Sequence, residues 1–298
     1  MAHSHIIAGA DANSVLPGIR TIRPMDLKDA LAKGIDDFYS MPTHAVFLCL
    51  IYPILGLILF RLAVGYDVLP LLFPLAAGFA LIGPFTAVGL YELSRRRELG
   101  LDTYWTHAFD VFHSPSIGAI TALGVLLMVI FLLWLAVAQA IYVENFGYAP
   151  AASVQDFVEK VFTTSAGWKL IIAGNAVGFL FAVLVLTISV VSFPLLLDRN
   201  IGVAVAVLTS VRAVAMNPVT MALWGLMVIA LLAIGSLIFL LGLTVVLPVL
   251  GHSTWHLYRK AVEPDGEPRL EYRRGPKRRR YAADFPAVLF PWSGEDRP

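Results

Sequence analysis

Cysteine is almost absent: the 298 residues contain one, Cys49, inside an apolar run. A lone thiol excludes an internal disulfide, a CxxC redox pair and a cysteine metal cage, and its setting suits a small core residue. Charge is scarce too, at 14% of residues against about 25% in globular domains. Hydrophobic residues reach 58%, above the usual range of roughly 45–50%. This balance rules out an ordinary soluble domain and puts the chain in a bilayer. Met1–Ala10 has neither the basic n-region nor the apolar h-region of a secretory signal, so insertion is expected to rest on internal spans. Also missing are GxxxxGK[ST], HExxH, GxSxG and GxGxxG, which leaves nucleotide hydrolysis, zinc proteolysis and serine hydrolysis without support.

What is present is a threefold pattern: a short amphipathic segment, a proline, then a pair of apolar spans ending on arginine. Asp26–Met41 leads into Pro42, Thr103–Ser114 into Pro115, and Ala206–Asn217 into Pro218. Apolar side chains stand eleven, seven and four residues before each proline: Leu31, Ile35 and Phe38; Tyr104, Ala108 and Val111; Val207, Val211 and Val214. That spacing marks one helical stripe. Each proline suits the first turn of a span, where its missing N–H costs nothing, and it pushes the preceding residue out of helical geometry.

The expected spans are about 43–64, 68–93, 116–140, 168–197, 219–234 and 237–258. The run Pro218–Leu250 is too long for one crossing, since thirty-three residues at about 1.5 Å each reach roughly 50 Å; Gly235 and Ser236 are the expected break. Ser153–Phe162, in the longest loop, reads as a further helix. With six spans and an inside N-terminus, all of the 22 Lys and Arg residues except Arg61, Lys160 and Lys169 lie inside, as the positive-inside rule asks. Pro84 precedes Arg95 by eleven residues and Pro248 precedes Arg259 by eleven, whereas Pro194 sits closer to Arg199.

The fold class expected is therefore all-α: a polytopic membrane protein with six transmembrane helices as three hairpins, each preceded by a cytoplasmic-face amphipathic helix. A disordered arm (1–25), a membrane domain with three internal repeats (26–260) and a basic cytoplasmic tail (261–298) divide the chain. The tail ends in an apolar patch of Phe285, Val288, Leu289, Phe290 and Trp292, and is expected to contact anionic lipid headgroups or a partner protein.

Chemistry is sparse. His252 and His256 stand four apart on one helical face and are the weak candidates for a haem or metal ligand. Beside Trp255 and Arg259 they also fit an interfacial belt. His107, His113 and His44 read as headgroup-level polar residues. Gly174 and Gly178 form a GxxxG, a common device for close helix contact. Asn175 and Gln139 are the deepest polar groups, and Glu92, Arg95 and Arg259 complete the positions of interest. No catalytic residue, no resident metal and no cofactor are expected.

Three stretches, Gly83–Pro84–Phe85 running to Gly89–Leu90–Tyr91–Glu92–Leu93–Ser94–Arg95–Arg96–Arg97–Glu98, then Ser192–Arg199, and Leu247–His252 with Trp255–Arg259, resemble a bacterial family of uncharacterised integral membrane proteins. Some members carry the label putative cytochrome c oxidase subunit. The resemblance covers roughly the first interfacial helix to Arg259. It implies a bacterial inner-membrane location and a respiratory oxidase subunit as a partner, while the charge distribution puts both termini on the cytoplasmic side. Six spans without mid-membrane histidines do not match a haem–copper catalytic subunit, so the expected role is a non-enzymatic accessory or scaffold protein, with no nucleic-acid partner. A small-solute transporter or channel, with a polar cavity reaching Asn175 and Gln139, is the alternative. A haem or metal protein using His252 and His256 is the third.

Overall fold

A computed structural model describes residues 16–41, 61, 74–75, 83–148, 153–237 and 242–265. Among them every regular element is helical: α1 (Pro24–Ser40), α2 (Gly83–Thr86), α3 (Val88–Glu98), a 3-10 helix (Trp105–His113), α4 (Ile117–Phe146), α5 (Val154–Thr163), α6 (Ser165–Ser189), α7 (Ser192–Asp198), α8 (Val203–Met216), α9 (Pro218–Leu237) and α10 (Leu243–Ala261). The only strand-like pairing described is a bridge between Ile19 and Val262.

Among the described residues three segments are long and apolar enough to cross a membrane: Ile117–Phe146, Ser165–Asp198 and Pro218–Leu237. The first would reach about 45 Å and the last about 30 Å, the thickness of a hydrocarbon core. Their outer faces carry Val125, Leu132, Phe179, Leu180, Leu226 and Ile229 exposed, the state of apolar side chains whose solvent is lipid. Apart from Arg61, the expected first span lies outside the described residues, as do residues 68–73 and 76–82 of the second, Cys49, His44 and the basic tail beyond Asp265. The expected sixth span, 237–258, falls partly outside the described residues, which omit 238–241. Helix α10 is apolar only from Leu243 to about Leu250 and then carries His252, His256, Arg259 and Lys260, so it is not among the helices long and apolar enough to cross. The break before it also falls later than expected. Helix α9 continues through Gly235 and Ser236 to Leu237, because Gly235 stays helical and offers its bare surface to Gly242, where an added Cβ would stand 2.6 Å from the Gly235 carbonyl.

The expected fourth span is split by its proline. Pro194 has no N–H to give Val190 and its ring would clash with that carbonyl, so α6 ends at Ser189 and α7 begins at Ser192. A hydroxyl from α8 fills the opening. Ser210 Oγ donates to Thr187 O at 2.8 Å and accepts from Val191 N at 3.2 Å, replacing the backbone bond the break interrupts. Ser192 Oγ bonds both Ile188 O and Ala206 O. All seven residues of α7 are buried.

Helix α5 begins where the sequence placed it, with Ser153 Oγ accepting from Asp156 N at 3.0 Å. The interfacial segments differ more from expectation. The second is a 3-10 helix, not an α-helix. In α1 the buried face is Leu27, Ala30, Gly34 and Asp37, while Ile35 of the apolar stripe is exposed. In α8 the buried face is Ala206, Thr209, Ser210 and Ala213. Small and polar residues face the bundle, and the stripe lies along its flank.

The packing has a cyclic order. Helix α1 packs on α10, the 3-10 helix on α3, and α8 on α6 and α7. Inside that ring, α3, α7 and α10 pack on one another. Each peripheral segment thus rests on the returning arm of the unit before it, and the first closes on the last. The contacts are close: a Cβ on Gly34 would stand 2.0 Å from Ser253 Oγ, and one on Gly89 3.2 Å from Ala108 O. Residues 18–22 of the N-terminal arm are pinned against the end of α10, with Arg20 N donating to Ala261 O at 2.8 Å and Glu263 N to Gly18 O at 3.0 Å.

Candidate functional site

The charged residues withheld from the apolar spans gather where α1, α3 and α10 meet. Asp37 is their hub, 2% exposed. Its Oδ2 accepts from Ser94 Oγ at 2.6 Å and from His256 Nε2 at 2.9 Å, and its Oδ1 accepts from Arg97, whose other terminal nitrogen donates to Asp36 at 2.8 Å. Burial pushes the Asp37 carboxyl upward, but the hydrogen bonds from His256, Ser94 and Arg97 outweigh it and hold it at about 2. Asp37 is therefore a carboxylate, and the Ser94 proton is committed to it.

That commitment assigns His252. Its Nδ1 lies 2.7 Å from Ser94 Oγ, and since the serine has already given its proton away, the imidazole must donate. The order runs His252 to Ser94 to Asp37. A nucleophilic serine needs the reverse, with the imidazole accepting the hydroxyl proton while its far nitrogen is held by the carboxylate. The three types of a hydrolytic triad are present in a static order, and Ser94 is 1% exposed. The His252 Nε2 is buried without a hydrogen-bond partner among the described residues.

Two further nodes extend the layer. Arg95 forks onto Glu92 with bonds of 2.8 and 3.1 Å, both side chains almost wholly buried. Arg96 approaches Asp110 at 3.5 Å and donates to Asp102 O at 2.6 Å, and His107 spans Asp110 and Asp102 at 2.6 and 3.2 Å. His107 beside it holds the Asp102 carboxyl below its usual range. On the other side Tyr258 donates to Asp198 at 2.6 Å, and Glu98 accepts from Trp255 at 3.0 Å and Arg259 at 2.9 Å. Lys260 closes the ring against Asp26 and Asp29 at 3.1 and 2.8 Å.

Of the positions singled out by sequence, Glu92, Arg95, His252, His256 and Arg259 belong to this layer. His252 and His256 do not converge on a shared open point: one ring is spent on Ser94 and the other on Asp37. Among the described residues no group of three or more His, Cys, Asp or Glu side chains is arranged to hold a metal ion. Asn175 and Gln139 are not in the layer. Both are exposed, and Asn175 donates to Ile171 O one turn back on its own helix at 2.7 Å. The GxxxG is half used, with Gly178 against the Trp134 ring and nothing within 4 Å of a Cβ on Gly174.

Sequence reasoning overlooked Asp37, Ser94, Glu98, Asp110 and Tyr258. A signal existed for two of them: Asp37 and Asp110 each stand five residues before the proline of their unit. Following only the apolar stripe hid that register, because the buried face of these segments is the polar one.

Residues 72–198 match the model of a family described as "Predicted integral membrane protein (DUF2189)". The matched stretch contains Gly83–Glu98 and Ser192–Asp198 but stops before Arg199 and Leu247–Arg259, so it is narrower than the resemblance read from the sequence. No curated protein and no solved structure matches the chain.

Proposed function

We propose that this integral membrane protein is a non-enzymatic scaffold of the bacterial inner membrane, whose ionic layer clamps three hairpins together on the cytoplasmic side. The observation that carries the reading is how the ionisable groups are spent. Asp37, Glu92, Arg95 and His252 are each at most 2% exposed, and Asp37, Glu92 and Arg95 bond other side chains of the layer instead of facing open space. Buried ionic groups tied in this way specify one arrangement of the elements more than they add stability. The cyclic packing of α1, the 3-10 helix and α8 around α3, α7 and α10 supports a pseudo-threefold ring of repeats. The apolar outer faces of α4, α6 and α9 are left for lipid or for a second membrane protein, and a respiratory oxidase subunit is the partner the family resemblance implies.

The test is gentle-detergent purification of the natively expressed chain, followed by native mass spectrometry and an absorption spectrum. The expected result is a stoichiometric complex with a second membrane protein, any haem absorbance leaving with that partner when the complex is dissociated. A chain that purifies alone and colourless, at the mass of a monomer, refutes the scaffold reading. Haem or metal retained by the isolated chain refutes the non-enzymatic part in favour of a cofactor at His252.

A further inference from the structure

The three corners where the chain turns into its spans are not equivalent in charge. In the first two, an aspartate five residues before the proline turns inward: Asp37 takes Arg97, and Asp110 faces Arg96. In the third, Ala213 occupies that register. The cations that the chain carries to this corner, Arg20, Arg23 and Arg212, form no ion pair among the described residues. Topology brings them together. Asn217 Nδ2 donates to both Arg20 O and Ala213 O, its Oδ1 accepts from Ile22 N at 2.8 Å, and Thr220 Oγ1 donates to Ile22 O at 3.0 Å. The backbone of Arg20 to Arg23 is thereby strapped across the α8–α9 corner, against the turn that carries Arg212. The nearest carboxylate in sequence, Asp26, is already engaged by Arg23 N and Lys260. Beside the cations, Met25, Met216 and Val219 are 50–70% exposed at the point where Pro218 starts a membrane-crossing helix.

We propose that this corner is a binding site for the phosphate headgroup of an anionic phospholipid. Cations left unneutralised, next to exposed apolar side chains at the mouth of a span, complement a molecule with a phosphate at one end and acyl chains at the other. Arg20 and Arg23 are exposed and Arg212, on α8, is half-buried, so two of the three guanidinium groups are free to adapt to the headgroup. Asn217 fixes the backbone that presents them and is a positioning residue, not a ligand. This site rests on the membrane location alone and survives failure of the scaffold reading.

The test uses the full chain in detergent, with short-chain phosphatidylglycerol, phosphatidylcholine and inorganic phosphate as separate probes, read by native mass spectrometry. Wild type is expected to retain phosphatidylglycerol in preference to phosphatidylcholine and to be indifferent to millimolar phosphate. Each cation near a lipid surface is worth about a fivefold change in affinity, so the Arg20→Gln, Arg23→Gln, Arg212→Gln triple variant loses the preference by about a hundredfold. Lys169→Gln, an exposed cation far from this corner in sequence, keeps it. If the triple variant does not fold, Arg20→Gln with Arg23→Gln, both exposed, decides the matter with an expected loss of about twenty-five-fold. Equal retention of the two lipids, an unchanged preference in the charge variants, or displacement of phosphatidylglycerol by inorganic phosphate overturns the assignment.

Discussion

Replacing Asp37 by Asn tests the ionic layer at its hub. The amide is nearly isosteric but offers one acceptor oxygen where the carboxylate offers two, and its NH2 then opposes a donor: Arg97 in one orientation, Ser94 and His256 in the other. A hydrogen bond to a charged group contributes about 1.5–3 kcal/mol. Arg97 is about a third exposed and keeps Asp36, so part of its loss is recovered through water, and a net cost of about 3 kcal/mol is expected. The sign with pH follows from the lowered carboxyl. Asp37 holds its proton less tightly in the folded protein, at about 2 against 3.8, so its contribution is complete above pH 4 and is lost as pH falls through 3.8 towards 2. That lowering is worth about 2 kcal/mol. Denaturant unfolding in detergent at pH 7 and at steps down to pH 3, with hydrogen exchange across residues 24–40, measures both quantities. Wild type should lose stability over the acid range while Asp37→Asn, already without the carboxylate, loses less. A variant within about 0.5 kcal/mol of wild type at pH 7, or one with the same acid sensitivity, refutes the hub.

Gly34→Ala forces a Cβ to 2.0 Å from Ser253 Oγ and 2.7 Å from Ser253 N, so α1 must lift from α10 at a cost of about 1–3 kcal/mol; Gly174→Ala, with nothing within 4 Å, is neutral or stabilising by up to about 1 kcal/mol, and thermal melting of the pair checks the contrast. Ser210→Ala removes the hydroxyl bridging Val191 N and Thr187 O, leaving two backbone groups unpaired at about 1 kcal/mol or more each; faster hydrogen exchange at Val191 without change in α4 is the expected signature, and unchanged exchange refutes the bridge. For the topology, a Cys49→Ser chain carrying Lys28→Cys is labelled by impermeant maleimide only from the cytoplasmic side, and one carrying Tyr148→Cys only from the outer side; both labelled from one side would refute the α4 crossing.

The helical class and the membrane were legible in the sequence because hydropathy acts locally: an apolar run such as Ile117–Phe146 needs no tertiary partner to declare itself. Corners were legible for the same reason, since Pro115 and Pro218 restrict their own neighbours wherever the chain goes. Pro194 is the local cause of the break after α6, which the reading of 168–197 as one span passed over, and the hydroxyl that completes the break comes from Ser210 on the next unit, which nothing near Pro194 in sequence announces. The ionic layer was legible only as a list of charges near span ends. Which charges meet depends on helices far apart along the chain: Asp37 lies 219 residues from His256, and Glu98 lies 161 from Arg259. Periodicity identifies a face without saying what will lie against it, so the stripe of α1 was visible while the buried use of Asp37 was not. Composition and local sterics, which act within a few residues, determined the helices and their turns. The partners of Asp37, Glu98 and Tyr258 were decided only by tertiary packing, because a buried charge is defined by the groups that surround it.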